Sequence, residues 1–166
     1  KVAEYIQVCR QMGIQILPPD INNGERGFSV DQGRIRYGLS AIKSVGRPVN
    51  ESLVKERREN GIYRTLSDFI ERNSGQVNKR AIENFIKAGA LDCLPGNRQQ
   101  KMLVYSRVVD HISQNKKNSM AGQMSLFDLV GEEDKKAYEI SMPDVGEYAK
   151  EVILAFEKDV LGIYLS

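Results

Sequence analysis

The chain has 166 residues, of which 41% are hydrophobic and 28% charged, and its formal net charge is +2. This is the composition of one ordinary folded domain, with or without a tail, and no apolar run approaches the length a membrane-spanning helix requires. The charge is unevenly placed: residues 1–100 carry 16 Lys and Arg against 11 Asp and Glu, whereas residues 101–166 carry 8 against 11, so an anionic partner is expected on the first part.

The opening Lys-Val-Ala-Glu-Tyr carries charge and lacks the pattern of a signal peptide. It enters a helical pattern at once and without an initiating Met, as a segment of a longer protein would. Val2, Tyr5, Ile6, Cys9 and Met12 recur at helical spacing up to Gly13. Ile14 and Ile16 then predict a short strand broken by Pro18-Pro19, and Phe28 to Val30 with Arg34 to Tyr37 alternate around Asp31-Gln32-Gly33 as a small β-hairpin.

Residues 37–58 organise the chain. A short helical run with Leu39, Ala41 and Ile42 reaches Lys43, a tight turn follows at Ser44-Val45-Gly46, and a second helix starts near Pro48 and Val49 and ends at Gly61. Gly46 is read as the turn residue, because glycine tolerates conformations that side chains forbid. Such a helix-hairpin-helix leaves backbone N–H groups free at a helix N-terminus, here flanked by Lys43 and Arg47, and these suit one phosphate.

Thr65 followed by Asp68 predicts a capping box opening a helix with Phe69 and Ile70. Asn-Ser-Gly at 73–75 breaks it, and Asn78 caps a helix from Lys79 to Ala88 that Gly89 stops. Ala81, Ile82, Phe85 and Ile86 are its buried stripe. Lys79 and Arg80 in the first turn oppose the helix dipole, which is understandable if an anion occupies that end, so residues 66–91 read as a second helix-hairpin-helix. Two such units would grip the two backbones of a duplex without reading bases.

Asn97 caps a further helix to about Gln114, with Met102, Tyr105, Val108, Val109 and Ile112 on its apolar side. Polar residues from Asn115 onward predict a linker carrying the apolar run Met124, Leu126, Phe127, Leu129 and Val130. An amphipathic helix is expected from Val145 to Leu161. Cys9 and Cys93 lack metal-ligand spacing and are expected as reduced core residues, and a single histidine, His111, gives no basis for a metal centre or a catalytic triad. The fold class is therefore mainly α with a small β-hairpin near the N-terminus, its core a tandem helix-hairpin-helix with flanking helices. The expected divisions are a mixed α/β edge over 1–37, the tandem unit over 38–95, a helix over 96–114, a linker over 115–135 and a last helical segment over 136–166.

Five strings, GIQILPPDIN, RIRYGLSAIKSVG, VNKRAIENFIKAGALD, GQMSLFD and LGIYLS, resemble in order the alpha subunit of bacterial DNA polymerase III. The resemblance covers nearly the whole chain and implies the end of the fingers, the tandem helix-hairpin-helix and the approach to an oligonucleotide-binding fold. It implies a cytoplasmic replication protein whose partners are primer-template duplex DNA, the sliding clamp and other holoenzyme subunits. The family's nucleotidyl transfer uses magnesium held by palm-domain carboxylates, which are not among these residues, so no cofactor and no catalytic residue are expected here. Gln123, Met124, Ser125, Leu126 and Phe127 are similar to the peptide by which such polymerases dock on the clamp: Gln123 at the rim of a pocket, Leu126 and Phe127 filling it. The sequence departs from the family where a second hairpin glycine is common and Pro48 stands instead, removing one N–H, so the donors the resemblance implies are the amides of Ser44, Gly46 and Val49, with Val45 in the same turn and Lys43 and Arg47 assisting. A helix-hairpin-helix module of a repair nuclease or ligase, or a scaffold whose hairpins only pack, are the alternative readings.

Overall fold

The computed structural model describes residues 2–120 and 141–166, with 118–120 as backbone alone. Helix α1 (Val2–Gln11) leads to strand β1 (Ile16–Leu17), then β2 (Ser29–Asp31) and β3 (Arg34–Arg36). The sheet has the order β1-β3-β2. Strands β2 and β3 are antiparallel, with Val30 opposite Ile35, and their connection places Gln32 and Gly33 at φ of 51° and 77°, the left-handed pair that a twisted two-residue hairpin demands. β1 adds parallel to β3, pairing Ile16 with Ile35, so the expected hairpin is one part of a three-stranded sheet. Of the apolar stripe on α1, Ile6 is buried and Cys9 half-buried, while Val2, Tyr5, Val8 and Met12 face solvent. Cys93 is exposed rather than in the core, and both thiols are free.

A single 3-10 turn (Leu39–Ala41) precedes helix α2 (Arg47–Asn60). The first unit thus lacks the expected leading α-helix. Ile42 is extended, and the Lys43 amide, which would close an α-helical bond to Leu39, donates instead to the Val160 carbonyl at 2.9 Å. Helix α3 (Leu66–Arg72) starts at Thr65, whose hydroxyl accepts from the Asp68 amide at 3.0 Å, as the capping box predicts. Helix α4 (Lys79–Ala88) ends at Gly89 in the left-handed region, φ 83°.

These elements share one core. Tyr63, Phe69 and Phe85 stack edge to face, with centroids 5.0 and 5.8 Å apart, so an aromatic column runs from the connector through α3 into α4. The Tyr63 hydroxyl donates to the Leu53 carbonyl of α2 at 2.7 Å, which ties the two helix pairs together. Arg72 reinforces the joint, with the Glu56 carboxylate at 3.0 Å and the Gly61 carbonyl at 2.6 Å.

Helix α5 (Arg98–Met120) runs six residues past the expected end at Gln114. Residues 115–120 are polar but contain neither Gly nor Pro, and polarity alone does not stop a helix. Helix α6 (Lys150–Leu161) begins five residues later than expected. Pro143 and Gly146 resist helix, and the backbone there serves α5 instead: the Pro143 carbonyl accepts from Gln100 at 2.8 Å, and the Glu147 carboxylate accepts the Arg98 and Gln99 amides at 3.0 and 3.2 Å. Between α4, α5 and α6 lies a buried polar group. Arg98, 4% exposed, meets Asp92 at 2.9 Å and Glu157 at 3.1 Å, while Lys101 donates to the carbonyls of Leu91, Leu94 and Gly96. The peptide expected to dock on the clamp, Gln123 to Phe127, lies outside the described residues.

Candidate nucleic-acid interface

The first hairpin and helix α4, which the second hairpin opens, line one groove. In the first hairpin, Ser44 takes φ 62°, a left-handed conformation that costs a non-glycine residue energy, and Val45 turns its side chain into the core. Gly46 is not the strained residue: it is the N-cap of α2, extended at φ −72° and ψ 160°. A Cβ there would meet only the Pro48 ring at an ordinary 3.6 Å. What Gly46 supplies is the lack of a capping side chain, so the first-turn amides of α2 keep their donors free. Pro48 sits within that first turn and offers no N–H. The predicted donors Ser44 and Gly46 are exposed and Val49 is half-buried, whereas Val45 can face a ligand only through its backbone.

The second hairpin, residues 73–78, is built differently. Asn73 is buried and its side-chain amide donates to the Phe69 carbonyl at 2.9 Å and the Tyr63 hydroxyl at 3.1 Å, fixing the end of α3. Gly75 supplies the left-handed residue, φ 87°. Asn78 caps α4 as expected, its side-chain oxygen accepting the Ala81 amide at 2.8 Å. Lys79 reaches Asp110 on α5 at 2.8 Å, so an intramolecular carboxylate supplies the counter-charge for which an anion was expected.

One side-chain bond fixes the first hairpin to α4. Asn84 on α4 donates to the Lys43 carbonyl at 2.7 Å. On the other side the Lys43 amide donates to the Val160 carbonyl of α6 at 2.9 Å. Lys43, Ser44, Arg80, Glu83, Asn84, Lys87, Asp159 and Val160 line the resulting open groove of about 450 Å³. Both of its carboxylates lie on Lys87, Glu83 at 3.3 Å and Asp159 at 3.9 Å. Among the described residues, no carboxylate pairs with Lys43 or Arg80, so these two charges remain available across the groove. Arg47 lies outside it and is held by Glu51 at 2.7 Å, and that hydrogen bond keeps the Glu51 carboxyl below its ordinary value.

The structure thus joins Lys43, Ser44 and Arg80, leaves Arg47 and Lys79 on carboxylates, and adds Asn84 and Lys87, which the sequence reading did not single out. Asn84 carried a signal, since an amide among the buried apolar residues of α4 must find a partner inside. Among the described residues no cluster of His, Cys, Asp or Glu is arranged to hold a metal ion, and no helix is long and apolar enough to cross a membrane.

A model of the helix-hairpin-helix motif family matches residues 13–101, which include both hairpins and the sheet. Over its entire length the chain is 34% identical to the DNA polymerase III subunit alpha of Chlamydia trachomatis, 36% to that of Borreliella burgdorferi and 37% to that of Mycobacterium tuberculosis. It spans 14–15% of the length of these relatives.

Proposed function

The chain belongs to the helix-hairpin-helix family and is homologous along its whole length to bacterial DNA polymerase III alpha subunits, and from that premise we propose that it is a non-catalytic, DNA-holding segment of a replicative polymerase. It binds duplex through phosphates, without reading bases. The observation that carries the reading is the pair Lys43 and Arg80, left without carboxylate partners among the described residues on one groove whose walls are fixed by the Asn84–Lys43 bond. Nucleotidyl transfer and its magnesium are assigned to other parts of the longer protein, which works in the bacterial cytoplasm with the other holoenzyme subunits.

Anisotropy of a labelled duplex across a salt series tests this. Lys43→Glu with Arg80→Glu should weaken binding strongly and reduce the log–log salt slope by about two. Unchanged binding would instead mean that the hairpins only pack.

We further propose that Gln123, Met124, Ser125, Leu126 and Phe127 dock on the sliding clamp. The support is the match of QMSLF to a clamp-binding peptide and the family to which the chain aligns. A tethered clamp raises the local concentration of DNA at weak hairpins, so the two contacts reinforce one another. Surface plasmon resonance against a purified bacterial clamp should show binding that Leu126→Ala with Phe127→Ala weakens by roughly 2 kcal/mol or more. Equal binding by the double variant would remove the motif from this role.

A further inference from the structure

The loop before β2 touches the first hairpin backbone to backbone. The Leu39 and Ser40 amides donate to the Glu25 and Arg26 carbonyls at 3.0 and 2.9 Å. A Cβ on Gly38 would fall 2.7 Å from the Gly27 carbonyl carbon, an approach only glycine allows. Arg26 is therefore held beside the 3-10 turn although it lies 20 residues before Gly46 in the sequence. Its guanidinium reaches Glu51 Oε1 at 3.6 Å, the same oxygen that receives Arg47 at 2.7 Å. All three side chains lie at the surface, at 45% for Arg26, 71% for Arg47 and 52% for Glu51.

We propose that Arg26 is a phosphate-binding residue of the first hairpin, and that Glu51 is the counter-ion that gathers Arg26 and Arg47 beside the uncapped end of α2 until a DNA phosphate replaces it. This rests on the duplex-binding reading above. One carboxylate oxygen serves two guanidinium groups at unequal distances, whereas a phosphate offers separate oxygens to each and accepts guanidinium forks in bidentate fashion. Exposed carboxylate pairs of this kind hold weakly, so exchange for a phosphate meets little opposition.

The test uses variants of opposite sign in the same duplex anisotropy assay. Arg26→Ala should lower affinity several-fold and reduce the salt slope by about one, with Arg26→Lys intermediate. Glu51→Gln releases both arginines and should raise affinity several-fold, a gain that a misfolded protein cannot produce. Arg26→Ala binding like the unsubstituted chain, or Glu51→Gln binding no better than it, overturns the inference. If Lys43→Glu with Arg80→Glu abolishes binding while both of these variants are silent, the assignment of Arg26 and Glu51 falls and the duplex reading stands. If the unsubstituted chain binds no duplex, both fall.

Discussion

The two hairpins begin their helices by unlike chemistry. In the second, glycine takes the left-handed position and the Asn78 side chain caps one amide of its helix. The first has a serine at the left-handed position and no capping side chain, and its helix start is flanked by two arginines on one exposed carboxylate. A helix start that satisfies its own donors needs no ligand, whereas one that leaves them open is available to a phosphate. On the proposed reading the first hairpin therefore carries more of the phosphate contact than the second, with Lys43 and Arg80 on the groove between the first hairpin and α4.

The largest effect is expected where the frame that holds both hairpins is broken. Burial would raise the Glu157 carboxyl, but hydrogen bonds from the Ser166 hydroxyl and the Ser166 and Leu165 amides, together with Arg98, outweigh it and hold the group below its ordinary value of 4.5. Its folded value is the depressed one, so its contribution is complete above that ordinary value and disappears as pH falls through the folded value. Glu157→Gln should cost about 3 kcal/mol at neutral pH, because it leaves the buried Arg98 with Asp92 alone. The variant should also lose less stability than the parent on acidification, as urea midpoints at a series of pH values would show. Equal midpoints at neutral pH would mean that the frame does not depend on this pair.

Next in size are the left-handed positions. Gly75→Ala introduces a Cβ with nothing within 4 Å, so its cost is backbone strain alone, about 1 kcal/mol. Ser44→Gly relieves strain of the same kind and should be neutral to stabilising, by less than about 1 kcal/mol after the added freedom of the unfolded chain is counted. If the two substitutions shift urea midpoints in the same direction, the contrast between the hairpins is not one of backbone strain. Asn78→Ala removes the α4 cap and should cost about 1 kcal/mol by the same measurement.

Much of the second unit was legible in the sequence because its signals are local: Thr65 three residues before Asp68, Asn78 opening α4 and Gly89 closing it all act within one turn of their targets. The first unit was misread wherever its structure depends on distant chain. The Val160 carbonyl takes the Lys43 amide that would have continued a leading helix, and Gly46 is an open cap while Ser44 carries the positive φ. Arg26 and Glu157 could not be placed by spacing, since their partners lie 25 and 59 residues away in sequence. The late start of α6 had the same cause: residues 143–147 are engaged by α5, a contact that no periodicity reveals. Polarity after Gln114 predicts a linker, although none of residues 115–120 is a Gly or Pro that would stop the helix.

The smallest effect on stability separates the hairpins most directly. Gly46 has the extended backbone of an N-cap and room for a side chain, so Gly46→Asn should install on α2 the cap that Asn78 already provides on α4. Asparagine improves on glycine as a cap by only a few tenths of a kcal/mol, so the thermal midpoint should rise slightly. Duplex affinity should fall at the same time, because the new side-chain oxygen claims an amide at the helix start that a phosphate would use. The reverse change, Asn78→Gly, should lower stability slightly and leave duplex binding near its original level. Opposite signs in stability and binding at Gly46, with no such opposition at Asn78, would mean that the first hairpin trades its own completeness for its ligand. A variant at Gly46 that binds duplex as tightly as the parent would move the contact away from the α2 amides and onto the side chains of Lys43 and Arg80.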